Sequence, residues 1–257
     1  AGLLLGILLA RPVASIIADH FGWRAVFFFA AGCMVFIALV IHFAIPKRLP
    51  THNTRYFALL RSLKSLVISQ PVLRQRAFYQ GLMFASFSLF WTTVPVVLAR
   101  EYGFSQTQIA LFALVGAAGA VAAPIVGRLA DKGYTYEMSL LAKVIALLCF
   151  LPSLFDLPNG IIILALTGVL IDFAVQANMV LGQRVIYSLE PQSRARLNAI
   201  YMTSIFLGGA VGSLIASSLY EFGGWESIAL VAAAMPLIAL IGFVYSAKKE
   251  KQKAHTA

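Results

Sequence analysis

The sequence predicts an all-α fold: a polytopic membrane bundle of about eight transmembrane helices. Three observations predict it. First, 60% of the 257 residues are hydrophobic and only 12% are charged, with a mean hydropathy of +0.86. A soluble domain must wet its surface and runs to about 45–50% apolar, so the solvent that fits this composition is the bilayer. Second, the apolar residues gather into runs close to the roughly 20 residues that a helix needs to cross the hydrocarbon. Third, the Lys and Arg behind the net charge of +10 fall on alternate connections between those runs.

The elements follow in order. The first span, near 1–18, starts at Ala1 inside an apolar stretch, with neither Met nor a basic segment ahead of it. A chain cut from a longer one is the expected reading, rather than a secretory leader. The turn DHFGW (19–23) leads to a second span near 25–45. Next comes a long basic segment, 46–76, containing TRYFALLRSLKSLVI (54–68). On a helix, Tyr56, Leu59, Leu60, Leu63, Leu66 and Val67 share one side, and Arg55, Arg61, Ser62, Lys64 and Ser65 take the other. Such a helix belongs either in the interface against anionic lipid or against the cytoplasmic ends of the spans. Further spans lie near 77–99, 107–127, 138–155, 160–181, 198–219 and 227–246. Their short connections include the turn-rich REYGFS (100–105), DLPNG (156–160) and EFGGWE (221–226).

The charges orient these spans. One set of connections carries Lys47, Arg48, Arg55, Arg61, Lys64, Arg74, Arg76, Arg128, Lys132, Arg184, Arg194 and Arg196, and the tail adds Lys248, Lys249, Lys251 and Lys253. The opposite set carries only Arg24 and Arg100, with Asp19, Glu101, Asp156, Glu221 and Glu226. The positive-inside rule then places 46–76, 128–137, 182–197 and the C-terminus in the cytoplasm. The charge surplus is therefore topological, and a nucleic-acid partner is not required. Cys33 and Cys149 sit far apart in apolar runs and read as small packing residues, not as a disulfide or a metal site.

The chain also repeats itself. Laid without gaps on residue 203 onward, Gly2, Gly6, Ala10 and Ala14 fall on Ser204, Gly208, Gly212 and Ala216. At the same offset Asp19 falls on Glu221, Gly22 on Gly224 and Trp23 on Trp225. Small residues every fourth position make a groove that another helix can approach closely, which assigns helix packing to Gly2, Gly6, Gly208 and Gly212. The first two and last two spans then read as equivalent members of two homologous halves. On that reading, 1–45 is the last two helices of a first half and 46–74 a cytoplasmic linker. Residues 75–246 form a complete six-helix bundle, and 247–257 a basic cytoplasmic tail.

Two six-span halves joined by a basic segment, with GRLADKG (127–133) after the fourth span, resemble the major facilitator superfamily. The superfamily's loop motif, G-x-L-a-D-[RK]-x-G-[RK]-[RK], is matched here through Lys132. The next glycine, Gly133, comes one position early, and Tyr134, Thr135 and Tyr136 stand where basic residues follow. The resemblance implies a gating loop of Gly127, Arg128, Asp131, Lys132 and Gly133, with Asp131 bracing a helix of the other half. The bland alternative is a plain cytoplasmic turn. Residues 2–28 resemble the fifth and sixth helices, and 196–215 the eleventh, of twelve-span drug:proton antiporter-type efflux proteins. Arg11-Pro12 stands where that group carries a Gly-Pro pair.

This resemblance implies proton-coupled export of small organic molecules, drug- or sugar-like, by alternating access in a bacterial inner membrane. No cofactor is implied. The implied partners are lipids, a small-molecule substrate and protons, and the full-length protein is expected to be a monomer. A non-transporting sensor or assembly partner, or an inactive truncated remnant, are the alternatives.

Three charged residues fall inside spans: Arg11, Lys143 and Asp172. Each costs about 2.5–3.5 kcal/mol at the bilayer centre, so such residues are paired or face water. Lys143 lies a few residues from the cytoplasmic end of its span and is expected to snorkel out. Asp172 lies about 20 Å along its helix from Asn159. At 100° per residue it shares a stripe with Gln176, Gln183 and Tyr187, whereas Asn178 points away and reads as a hydrogen bonder between helices. A second stripe holds Gln80, Phe84, Phe87, Ser88 and Trp91. By resemblance these are the tenth and seventh helices, which line the superfamily's cavity. The first stripe with Arg11 is the candidate proton and substrate pathway, and the second is the candidate substrate cavity. Asp172 is then either a proton carrier or a structural partner of Arg11, and the aromatics either wall a cavity or simply pack. Enzyme chemistry is excluded on motif grounds. His20, His42, His52 and His255 are scattered, with no HExxH or GxSxG, and no GxxxxGK[ST] loop occurs.

Overall fold

The computed structural model describes residues 2–44, 56–119, 122–155 and 158–256, and every regular element there is a helix. In chain order these are α1 (Gly2–Phe21), α2 (Trp23–Ala44), α3 (Tyr56–Ser69), α4 (Pro71–Arg100), α5 (Gln106–Ala113), α6 (Gly116–Gly119), α7 (Ala122–Asp131), α8 (Thr135–Leu148), α9 (Gly160–Leu189) and α10 (Arg194–Thr256). Two 3₁₀ turns, Leu151–Leu154 and Pro191–Ser193, complete the set. The segment 45–55, with Lys47, Arg48, His52 and Arg55, lies outside the described residues.

Local chemistry sets the boundaries. α1 stops at Gly22, whose φ of +81° suits a residue without Cβ. Only Gln70 separates α3 from α4, and Pro71 occupies the first turn of α4, where its missing N–H costs nothing. The Arg74 guanidinium turns back and donates to the carbonyls of Val67 and Ile68, both at 2.6 Å, which α3 leaves open at its end. α4 therefore begins six residues before the predicted span. A reciprocal capping box between Ser105 and Gln108 starts α5.

Five segments of the described chain are long and apolar enough to cross a membrane: Trp23–Ala44, Pro71–Arg100, Thr135–Leu154, Gly160–Leu189 and Pro191–Lys249. Two differences separate this from the eight predicted spans, apart from α1 (Gly2–Phe21), a 20-residue helix many of whose side chains lie outside the described residues. The predicted fourth span, 107–127, is interrupted by a turn at Leu114 and Val115, between α5 and α6, and it passes backbone to backbone over α9. A Cβ on Gly119 would stand 2.7 Å from both the Phe173 nitrogen and the Val169 oxygen. The last two predicted spans are the two arms of α10, which breaks at Gly223 and Gly224 (φ +60°). The predicted basic tail continues its second arm as helix to Thr256.

α4 is the axis of the bundle. Successive contacts of α4 with the first arm of α10 run in the same direction. Ser204 donates to the Ala77 carbonyl, Gly208 lies on Gly81 and Gly212 on Ala85, and Arg100 reaches Glu221 at 2.7 Å. Contacts with the second arm run in reverse, from Tyr79 with Ser246 to Ser86 with Ala232. The two arms are thus antiparallel and flank α4. Among the described residues, no atom stands within 4 Å of a Cβ on Gly6. Among the described residues, α1 meets α2 and α5 closely, and Gly6 is exposed. The surroundings of Gly2 lie outside the described residues.

The core has two ends. Toward the Arg100 end of α4, Phe90 makes edge contacts with Trp91, Phe150 and Trp225 at 5.2–6.1 Å. Toward the Pro71 end, Leu66, Leu73, Ala77, Ile186, Leu197, Tyr201 and Ile205 close the bundle.

Candidate functional site

Ser88 lies midway along α4 between Arg76 and Arg100, about 18 Å from each along the helix axis. Its hydroxyl shares a hydrogen bond with Ser213 of α10 (2.7 Å), and Thr92 shares a second with the same Ser213 oxygen (3.1 Å). Thr92 and Ser213 are exposed. Phe84 stacks on Phe87 with centroids 5.1 Å apart and meets Phe206 edge-on. Gly209 admits the Phe84 ring, since a Cβ there would stand 2.8 Å from it. A hydroxyl cluster rimmed by aromatic rings therefore opens at mid-helix depth. Seen alone in hydrocarbon, such groups are costly, so they suit a wet or partnered face.

The second stripe divides between two neighbours. Phe84, Phe87 and Ser88 turn toward α10, but Gln80 and Trp91 are buried against α9. Gln80 is fully buried, which corrects its expected place on the cavity wall. Its amide nitrogen donates to the Val175 carbonyl (3.3 Å), and its oxygen accepts from Asn178 (2.5 Å). Trp91 packs over Gly168 of α9 and against Phe112. The reason is lateral. α9 runs antiparallel beside α4 and covers that edge from Gln80 to Trp91.

Lys143 overturns a second expectation. It is fully buried rather than snorkelling. Its ammonium donates to the Asn178 side-chain oxygen (2.7 Å) and the Ser139 carbonyl (3.0 Å), and it sits over the Phe243 ring (4.2 Å) with Tyr79 beyond (5.6 Å). Asn178 of α9, Phe243 of α10 and Tyr79 of α4 surround the ammonium, so the side chain finds its acceptor beside it rather than at the end of its helix. The result is a one-way chain of donors, Lys143 to Asn178 to Gln80 to the Val175 backbone, joining α8, α9 and α4. Asn178 makes a hydrogen bond to each of the two neighbouring helices.

Asp172 is half-buried, and its carboxylate comes up against Gly116 of α6 and the Trp91 ring. Neither glycine of α6 tolerates a Cβ here, so the short helix seats directly on this acid. Gln176 is half-buried. Further along α9, Tyr187 donates to the Asn198 side-chain oxygen (2.7 Å), and Gln183 reaches the same oxygen at 3.4 Å. The Arg11 side chain lies outside the described residues.

In the loop motif, α7 ends in a glycine-stopped turn. The Tyr134 nitrogen donates to the Leu129 carbonyl (3.2 Å) and the Gly133 nitrogen to the Ala130 carbonyl (3.1 Å), with Gly133 at φ +96°. This is a Schellman closure, and it explains why a glycine falls at 133. Asp131 pairs with Arg184 of α9, a partner within the same bundle. Gly127, Arg128 and Lys132 lie on the same terminal stretch, Arg128 and Lys132 exposed.

Comparison with known proteins agrees with this architecture. The Major Facilitator Superfamily description matches residues 1–155 and again residues 76–257. The chain belongs to the Major Facilitator Superfamily. It is similar to the putative uncharacterized transporter YgaY of Escherichia coli strain K12, with 40% identity over 242 residues, 94% of this chain and 61% of that protein. It is also similar to the probable transporter SCO4007 of Streptomyces coelicolor, with 30% identity over 237 residues, 91% of this chain and 54% of that protein. The chain thus spans less than two thirds of the length of either relative.

As an integral membrane superfamily member and not an enzyme, its informative groups are polar side chains at depth. Sequence reasoning passed over two of them and misplaced a third. Ser213 and Asn198 read as ordinary small or polar residues of an apolar helix, and their signal was spacing. Ser213 falls beside Gly209 and Gly212, and Asn198 stands eleven residues beyond Tyr187 across a short turn. Lys143 was seen but assigned to the wrong environment.

Proposed function

We propose that the protein is a secondary active transporter that exports small amphipathic organic molecules, drug- or sugar-like, in exchange for protons. The observation that carries this reading is the mid-depth cluster of Ser88, Thr92 and Ser213 rimmed by Phe84, Phe87 and Phe206. An aromatic-walled, mostly apolar surface with a few convergent hydroxyls suits a ligand that is itself amphipathic. The twofold match to the superfamily, over overlapping ranges, supports two related halves that rock around a midplane site. Asp172, half-buried one helix away beside Trp91, is the proposed proton carrier, with Gln176, Gln183 and Tyr187 continuing its stripe toward the cytoplasm. The basic connections support a cytoplasmic C-terminus.

The test uses the protein in sealed vesicles with an imposed pH gradient and a panel of fluorescent amphipathic dyes. Gradient-dependent dye movement supports the reading, and Asp172→Asn should abolish the gradient dependence while dye binding persists. Undiminished coupling in Asp172→Asn removes the carrier role. No dye or sugar movement under any gradient removes the transport reading.

A further inference from the structure

We propose that α3 is an anchor for anionic lipid headgroups on the cytoplasmic surface of the membrane, with Arg61 and Lys64 as the headgroup contacts. The structure gives α3 two different faces. Leu66 is buried in the cluster with Leu73, Ala77 and Tyr201, so one side of the C-terminal half docks on the bundle. At 100° per residue, Phe57, Arg61, Lys64 and Ile68 fall within about 60° of one another, on the side opposite Leu66. All four are exposed, Phe57 at 81% and Ile68 at 65%. Two cations therefore stand between two large apolar side chains on a single outward stripe. That order matches an interface in which apolar groups enter the acyl boundary and cations meet phosphates.

The position of α3 agrees. One residue joins it to α4, and the Arg74 guanidinium holds its last carbonyls. The hydrogen bond of Tyr79 with Ser246 and the stacking of Tyr136 on Phe243 bring the ends of α10 and α8 level with the first turns of α4. At that level Tyr134, Tyr136 and Tyr245 are exposed, as are Lys248 and Lys249. Exposed tyrosines beside cations mark the headgroup zone. An anionic leaflet complements this charge, and a neutral one does not.

The experiment compares the whole chain in nanodiscs of phosphatidylcholine alone and of phosphatidylcholine with phosphatidylglycerol. Amide hydrogen exchange is followed across α3. Exchange is expected to be about five- to thirtyfold slower with phosphatidylglycerol, the effect of one or two surface cations on an anionic leaflet. The difference should shrink as salt is raised, since surface charges are screened, and it should vanish in Arg61→Gln/Lys64→Gln. The salt titration needs no variant, so it stands even if the double substitution misfolds. Equal exchange in the two lipids, or a difference that survives salt and charge removal, overturns the proposal and points to a protein surface as the cover. Neither result depends on transport, so failure here leaves the proposed function standing, and a non-transporting chain leaves the anchor standing.

Discussion

The buried chain from Lys143 to Asn178 to Gln80 makes an asymmetric prediction about stability. Substituting Lys143→Met removes a cation whose two hydrogen bonds go to neutral oxygens, together with the cost of keeping it from water. It leaves the Asn178 oxygen without its donor, a loss of about 1–3 kcal/mol. Relief of the buried charge offsets much of that, because apolar replacement of buried ions is often neutral or stabilising. The net change should stay within about 2 kcal/mol. Asn178→Leu does the reverse. It strands the ammonium on one carbonyl and two rings, and it also orphans the Gln80 oxygen. Removing one partner of a buried charge costs about 3–5 kcal/mol. The double variant Lys143→Met/Asn178→Leu no longer contains the stranded cation, so it should be more stable than Asn178→Leu alone by about 2 kcal/mol or more. Reversible unfolding in mixed micelles, followed by helical circular dichroism, measures all four corners of the cycle. If Asn178→Leu costs no more than Lys143→Met, or the two effects simply add, the network does not hold its charge as described.

Four further outcomes follow from backbone contacts and exposed charge, all readable in the same unfolding assay. Gly119→Ala places a methyl against the backbone of Phe173 and Val169 and should cost about 1–3 kcal/mol. Gly127→Ala, which has no atom within 4 Å, should gain about 0.5–1 kcal/mol from helix propensity. Gly133→Ala must hold φ +96° with a Cβ present and should cost about 1–2 kcal/mol. Asp131→Asn removes an exposed pair with Arg184 and should change stability by less than about 1 kcal/mol. A larger loss would mean that Asp131 braces something beyond its visible partner.

The sequence showed where long apolar helices lie because hydropathy reports a one-dimensional quantity, the length of chain that prefers lipid. α2 and α9 begin within two residues of their predicted starts for that reason. Breaks inside an apolar run are not of that kind. The stretch around Gly116 and Gly119 scores as membrane whether or not a turn interrupts it at Leu114 and Val115, and hydropathy does not show the approach of α9. Angular reasoning succeeded where it compared residues on one helix, as when Asn178 was separated from the Asp172 stripe. It could not say which helix would lie against each stripe. Gln80 and Ser88 share a stripe by periodicity, yet α9 buries the first and α10 leaves the second at an open edge. Lys143 fails the same way, because its distance to the end of α8 says nothing of Asn178 and Phe243 beside it. In a bundle whose outside is hydrocarbon, burial of a polar group therefore marks the frame. An exposed polar group at mid-depth marks what the frame leaves open. By that criterion Ser88, Thr92 and Ser213 weigh more as a binding surface than the deeper and more conspicuous Lys143.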